Sequence, residues 1–323
     1  MFNDHTSYQR MYREGELTLG LHVPLENFKM RTPTLDKQVE LAQKAEDYGF
    51  TTLWLRDVLL KDPYFLDPAV GQIHDMLIYG THLLSQTKQI ALGTSALVLP
   101  LRHPLRSAKE VATINALFPE RLILGVSSGD RQADFHGLGV DHPSRGAQFK
   151  EALQVMEQAL YEDYPQIDST YGEVRGATLV PRPKKRIPTM ITGFAQQNMD
   201  WLAKNGDGWM YYPQGPFEQA RAIEQWRAAS QEAGNTTFRP FSMPMHLDLS
   251  ADPDEEATPI RLGFRIGRNR LIELLALYRE LGVNHLFFAL FDGERSAEDV
   301  IDELGTYVVP HFPPLSESLN NHL

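Results

Sequence analysis

The chain has no cysteine among its 323 residues, which excludes disulfides, thiolate-bound zinc and a cysteine nucleophile. It has no excess of positive charge either. Thirty-one lysines and arginines face 42 aspartates and glutamates, a net charge of −11, so no nucleic acid or anionic membrane is expected as a partner. No apolar run reaches the ~20 residues needed to cross a bilayer. The start, Met1-Phe2-Asn3-Asp4-His5-Thr6, lacks the basic and apolar regions of a secretory signal, and a cytoplasmic protein is the expectation. Neither a phosphate loop ending in Gly-Lys-Ser/Thr nor a nucleophilic-serine elbow is read in the chain, which disfavours nucleotide and nucleophilic hydrolysis. The first strand carries His22 alone rather than a His-x-His pair, and no metal is expected. His246 and Asp248 could share a strand face, but a hydrogen-bonded core histidine is the better account of them.

What the chain does have is alternation. Apolar strands are expected at 17–24, 52–55, 90–98, 121–129, 189–193, 208–212, 243–249 and 285–290. Between them, apolar residues at helical spacing mark 69–84, 107–117, 145–163, 197–205, 216–233, 270–281 and 297–308. A further helix follows Thr34, a candidate N-cap, and closes at Gly49. Residues 164–176 are polar and turn-rich. Continuous apolar strands between amphipathic helices imply a parallel sheet covered on both faces, and about eight such units predict a closed (β/α)8 TIM barrel. The expected division is an N-terminal extension over 1–16, a single barrel domain over 17–312 and a C-terminal tail over 313–323. Long loops at 57–68, 129–144 and 251–268 follow strands. They belong to the carboxyl face, where barrels bind their ligands.

The stretch 93–104, Gly-Thr-Ser-Ala-Leu-Val-Leu-Pro-Leu-Arg-His-Pro, is the most informative. It runs from a buried strand into a proline-bounded exit that carries Arg102 and His103. Small residues Gly93, Ser95 and Ala96 leave room either for a planar ligand or simply for tight packing. A second candidate is the turn Thr192-Gly193-Phe194-Ala195-Gln196-Gln197-Asn198, which leads a strand into a helix. Its unpaired helical N–H groups suit a phosphate, although an ordinary strand-to-helix turn explains Gly193 equally well. Ser127-Ser128-Gly129 adds hydroxyl donors from another strand end. Of the aromatic residues Trp54, Trp209, Tyr211 and Tyr212, one or two are expected to wall a cofactor site and the rest to pack the core.

Together these segments resemble the bacterial luciferase-like flavin monooxygenases. Residues 93–100 with His103-Pro104 are similar to that family's third-strand motif, and Phe118-Pro119-Glu120-Arg121 through Gly129 to its entry into strand four. Phe135-His136-Gly137-Leu138-Gly139-Val140 with Arg145, and Gly193-Phe194-Ala195 with Asn205-Gly206-Asp207-Gly208-Trp209, match further segments. The resemblance implies a (β/α)8 barrel that binds FMN, or in some branches a deazaflavin, at its carboxyl end. It also implies a non-prolyl cis peptide at Ser95–Ala96, pressed against the flavin ring. His22, Thr94, Ser127 and Ser128 would lie beside the cofactor, and Gly193, Phe194, Ala195 and Asn198 would hold its phosphate, mostly through N–H groups. Departures from luciferase itself are plain: Arg56-Asp57 replaces its catalytic histidine after strand two, Ser127 its cysteine and Ser128 its phosphate arginine. Ala195 and Asn198 stand where luciferase has phosphate-loop hydroxyls. Light emission is not expected.

The function this implies is the oxygenase half of a two-component system. It would use reduced FMN from a separate reductase and dioxygen on a small organic substrate, with the chain as a homodimer. Arg56, Asp57, Arg102 and His103 are the expected catalytic groups, and Arg265 and Arg268 the expected contacts for an anionic substrate. Alternatives are a deazaflavin-dependent hydride transferase and a non-catalytic flavin-binding barrel.

Overall fold

The computed structural model describes residues 2, 4–28, 32–62, 64 and 74–315. Among these, eight strands pair in parallel and in chain order: β1 (Thr18–His22), β2 (Thr52–Leu55), β3 (Ala91–Thr94), β4 (Leu122–Ser127), β5 (Thr189–Thr192), β6 (Gly208–Met210), β7 (Phe241–Leu249) and β8 (His285–Ala289). The ring closes where β8 pairs with β1, Thr18 opposite His285 and Leu21 opposite Phe288. A helix follows each strand: α1 (Gln38–Tyr48), α2 (Met76–Gln86), α3 (Pro104–Leu117), α4 (Arg145–Tyr161), α5 (Met199–Asn205), α6 (Pro216–Glu232), α7 (Arg268–Glu280) and α8 (Ala297–Glu303). This is the expected (β/α)8 barrel.

Several local details differ from expectation. Thr34 does not cap α1; its N–H and hydroxyl turn back to Glu26 at 2.9 and 3.3 Å. Gln38 begins the helix and instead brackets Leu25, accepting its N–H at 2.7 Å and donating to its carbonyl at 3.2 Å. The expected third strand is broken: β3 ends at Thr94, and Leu97–Val98 continues as a short strand beside Val126 and Ser127. The turn-rich stretch contains a hairpin, Ile167–Ser169 with Gly172–Val174. The loop after β7 is also structured, because Gly263–Ile266 pairs in parallel with β7 and antiparallel with Thr258–Ile260. The start of the helix expected from residue 69, residues 63 and 65–68 of the loop expected over 57–68 and the end of the tail lie outside the described residues.

The barrel interior is solid in its lower half. Trp54 from β2 fills the space above Gly93 of β3, where an added Cβ would sit 2.3 Å from the indole. His285 of β8 occupies the space beside Gly20 of β1, 2.8 Å from the corresponding point. Gly93 is therefore small for packing rather than for a ligand. The indole N–H of Trp54 donates to His285 Nε2 at 2.9 Å. That leaves His285 Nδ1 to carry the proton, which it donates to Thr18 Oγ1 at 2.9 Å; Thr18 in turn donates to the Met11 carbonyl. Helix Thr6–Met11 thereby closes the floor, with Tyr8, Met11 and Tyr12 buried.

His285 is wholly buried, and burial pushes its pKa down to about 3 from its ordinary 6.5. A histidine kept neutral in the fold but protonated in the unfolded chain supplies stability that is complete above pH 6.5. It is lost as the pH falls through the window toward about 3. Urea denaturation of the wild type and of His285→Gln between these limits should show the wild type losing stability more steeply on acidification. The difference should approach one proton, about 1.4 kcal/mol per pH unit. Parallel profiles would show that His285 does not titrate on unfolding.

Candidate active site

The carboxyl ends of β2 to β5 surround an open cleft of about 240 Å³. At its centre is the Ser95–Ala96 peptide, which is cis. Ser95 ties three strand ends together: its N–H donates to the Leu55 carbonyl at 2.7 Å, and its hydroxyl lies 3.3 Å from the same oxygen and 3.2 Å from His22 Nε2. Thr94 stays out of the cleft. Its hydroxyl exchanges hydrogen bonds with Gly125, donating to the carbonyl at 2.7 Å and accepting from the N–H at 2.8 Å. Thr94 is thus a β3–β4 bolt rather than the ligand contact expected.

One side of the cleft is rich in donors. Ser127, Ser128 and Gly129 line it from β4, and Gly193 and Gln196 from the turn after β5. That turn has positive φ at Gly193 (62°), Ala195 (48°) and Gln196 (60°). It is held by Gln197, whose side-chain amide donates to the Gly146 carbonyl at 2.8 Å. Among the described residues the N–H groups of Phe194, Ala195 and Gln196 meet no protein acceptor. Such an array, beside two hydroxyls, suits an anion. Arg145, at the first position of α4, adds a cation and is braced by the carbonyls of Gly129 and His142 at 3.1 Å each. Asn198 is turned to another use: its side chain caps α5 by accepting the Trp201 N–H at 2.9 Å. The Phe194 side chain is also outside the cleft, edge-on to Trp209 and Tyr211.

Gly125-Val126-Ser127-Ser128-Gly129 does have the Gly-x-Ser-x-Gly spacing, which the sequence expectation passed over. It is not a nucleophile elbow. Ser127 ends a strand without entering a helix directly, and no histidine hydrogen-bonds to it among the described residues.

Four of the expected charged residues are engaged elsewhere. Arg102 is clamped in two-pronged fashion by Asp57 at 2.9 and 3.0 Å, and it also meets Asp75 at 3.2 Å and Glu110 at 3.5 Å. His103 caps α3, accepting the Leu105 N–H at 3.3 Å while Nε2 donates to the Tyr171 carbonyl at 3.0 Å. Arg265 pairs with Asp248 and Glu255 at 2.9 and 2.8 Å. Arg268 pairs with Glu303 at 2.8 Å and lies over the Tyr307 ring. None of these four lines the cleft. Asp57 borders it, but its carboxylate is committed to Arg102 and to the Val98 N–H. Arg56 alone of the expected catalytic set faces inward, its guanidinium 5.6 Å from the Phe291 ring centre.

Past Arg56 and Ser95, the cleft continues into a smaller chamber of about 70 Å³ between β1, β6, β7 and β8. Its walls include His22, Tyr211, Tyr212, Phe287 and Phe291. Two of the four noted aromatic residues therefore reach the site, while Trp54 and Trp209 are core. His246 also lines this chamber, with Nδ1 2.8 Å from the Asp292 carboxylate. Its partner is Asp292, beyond β8, rather than Asp248, which is held by Arg265. The pair was not legible in sequence because it depends on β7 and β8 being neighbours.

The luciferase-like monooxygenase family model matches residues 17–285. An F420-dependent glucose-6-phosphate dehydrogenase of Mycolicibacterium gilvum is 27% identical over 250 residues, 75% of this chain and 71% of that one. An F420-dependent secondary alcohol dehydrogenase, solved with an F420–acetone adduct, superposes with a TM-score of 0.75 at 18% identity, covering 92% of this chain and 99% of that one. Monooxygenase RslO1 from Streptomyces bottropensis superposes with a TM-score of 0.77 at 14% identity, covering 91% and 99%. With the barrel, the family motifs and the match over most of its length, the chain belongs to the luciferase-like monooxygenases, a family of oxidoreductases.

Proposed function

We propose that this chain binds reduced FMN in the cleft and serves as the oxygenase of a two-component system, acting on a small organic substrate. The observation that carries this is the pairing of the Ser95–Ala96 platform with a compact anion cradle beside it. The cradle joins the hydroxyls of Ser127 and Ser128 and the Arg145 guanidinium, which line the cleft, to the N–H groups of 194–196 in the turn after β5. This set fits one phosphate. A bound flavin supplies a transferable electron pair, to dioxygen in the monooxygenases and to an organic substrate in deazaflavin enzymes.

The chain's own contribution is placement and charge. Ser95 and Ala96 support a planar ring, and the hydrogen bond between the Ser95 hydroxyl and His22 Nε2 holds that support in register with β1. Arg56, at the junction of cleft and chamber, sets a positive charge where negative charge develops during reaction. The aromatic walls exclude water from the inner end.

A second cofactor, deazaflavin F420, is favoured by two similar proteins, the glucose-6-phosphate dehydrogenase and the secondary alcohol dehydrogenase, both F420-dependent. Its longer acidic tail asks for additional cations at the mouth. Arg131 lies there, although its Nε is paired with Asp134 at 2.9 Å.

Anaerobic titration with reduced FMN, FAD and F420 separates the two. Tightest binding of reduced FMN is expected; preference for F420 would transfer the assignment to hydride-transfer chemistry, and no binding of any would remove both. Ser95→Trp should abolish flavin binding with the circular-dichroism spectrum and melting curve retained, and unchanged affinity in that folded variant would displace the ring site. Ser127→Asp should weaken binding by about tenfold or more, equivalent to 1.4 kcal/mol of repulsion at the phosphate. Riboflavin, which lacks the phosphate, should be little affected. An equal loss for both ligands would locate the phosphate elsewhere.

A further inference from the structure

We propose that the inner chamber is a substrate subsite for a small neutral molecule carrying one hydroxyl or carbonyl oxygen, hydrogen-bonded by His246 Nε2, with Asp292 positioning that ring. The proposal rests on the outer cleft being the cofactor site, since the two cavities share Arg56, Ser95, Thr192, Gly193 and Tyr212.

His246 is 95% buried, yet it lines a cavity. The Asp292 carboxylate can only accept, so the hydrogen between them belongs to Nδ1. The other nitrogen, Nε2, has no protein partner among the described residues. Nε2 is not one of the enclosed polar atoms that lack a partner, so it opens on the chamber, where a ligand oxygen can meet it. In the neutral ring Nε2 presents a lone pair to a hydroxyl; in the charged ring it presents a hydrogen to a carbonyl. Phe291 sets the ring's attitude edge-on, at 5.9 Å and 84°. His22, the other histidine of the chamber, is already engaged through Nε2 with Ser95.

Charge and size define the ligand class. Behind His246 stands the Asp292 carboxylate, with Asp248 and Glu255 beyond it around Arg265. An anion is repelled from that end. At the other end Arg56 faces the chamber and opposes a cation. A neutral molecule remains, and Met210, Pro244, Leu262 and Ala289 offer its carbon skeleton an apolar wall. The volume of about 70 Å³ restricts that skeleton to a few carbons.

The test uses the full chain with 2-butanone, 2-butanol and butyrate as probes, read from the nitrogen-15 imidazole signals of His246. In parallel, FMN and F420 binding is measured by fluorescence. Measured on both sides of the ring's own titration, the alcohol should shift the neutral-ring His246 signals and the ketone the protonated-ring signals, and butyrate should bind more weakly than either. His246→Phe should weaken both neutral probes by about tenfold, the worth of one buried hydrogen bond, while FMN or F420 affinity stays within twofold. Asp292→Leu should weaken them less and change the His246 tautomer, a signal that loss of packing alone would not move. Unchanged affinity of the neutral probes in folded His246→Phe, or stronger binding of butyrate than of butanone, would overturn the subsite. Flavin binding by the wild type with no probe at His246 sinks the subsite alone. Probe binding at His246 without any flavin binding sinks the cofactor assignment and leaves the chamber as a ligand site.

Discussion

The site stands on a column of rings that fills the barrel from floor to mouth. Tyr12 meets His285 at 6.0 Å, and the Trp54 indole donates to His285. Phe287 stacks on Trp54 at 4.8 Å, His22 on Phe287 at 5.9 Å, and Phe291 packs edge-on to His22 at 5.2 Å. Each ring needs a hollow opposite, and Gly20 and Gly93 provide the two lowest. Large-for-small exchange across facing strands is how a close-packed interior accepts such bulk. Because the column ends at His22 and Phe291, the barrel is solid below them and open above. The position of the chamber follows from the height of the stack.

The same economy explains why so few of the carboxyl-face cations point at a ligand. Arg102, Arg265 and Arg268 each sit within 3 Å of a carboxylate. Partly buried guanidinium groups require such partners, because leaving one unpaired costs several kcal/mol. Asp57, next to Arg56 in sequence, serves the short strand Leu97–Val98 and the Arg102 exit instead of a substrate. These bridges give the Ser95–Ala96 segment a rigid surround: Asp57 receives both the Val98 N–H and the Arg102 fork, so the chain on the far side of the cis peptide is anchored to β2. Charge here is spent on holding the platform.

How far the sequence reached divides along the same physical line. Strand order and the barrel were legible because buried parallel strands are continuous apolar runs, and period and spacing survive without tertiary knowledge. That the Ser95, Ser127 and Gly193 ends meet at the carboxyl face was legible because it is local: a strand terminus carries its neighbours in sequence with it. The charged residues were misassigned for the opposite reason. Whether Arg102 meets a ligand or Asp57 depends on partners 45 residues away in the chain. Gly93 was ambiguous until Trp54 was seen to fill its space, and Thr94 until Gly125 was seen to take both its hydrogen bonds. His246 and Asp292 lie 46 residues apart and meet only because β7 and β8 adjoin.

Ser95 belongs to both cavities and ties their walls together. Its hydroxyl has the Leu55 carbonyl and His22 Nε2 within 3.3 Å. One hydroxyl has a single hydrogen to give, so donation to Leu55 requires His22 to donate from Nε2, and acceptance by His22 forfeits Leu55. The tautomer of His22 is thus bound to the state of the platform under the outer cleft, while the His22 ring is part of the wall of the inner chamber. A group that presses on the Ser95–Ala96 peptide from the cleft acts on the same hydrogen bond that orients His22 toward the chamber. The two compartments therefore share one hydroxyl in their common wall.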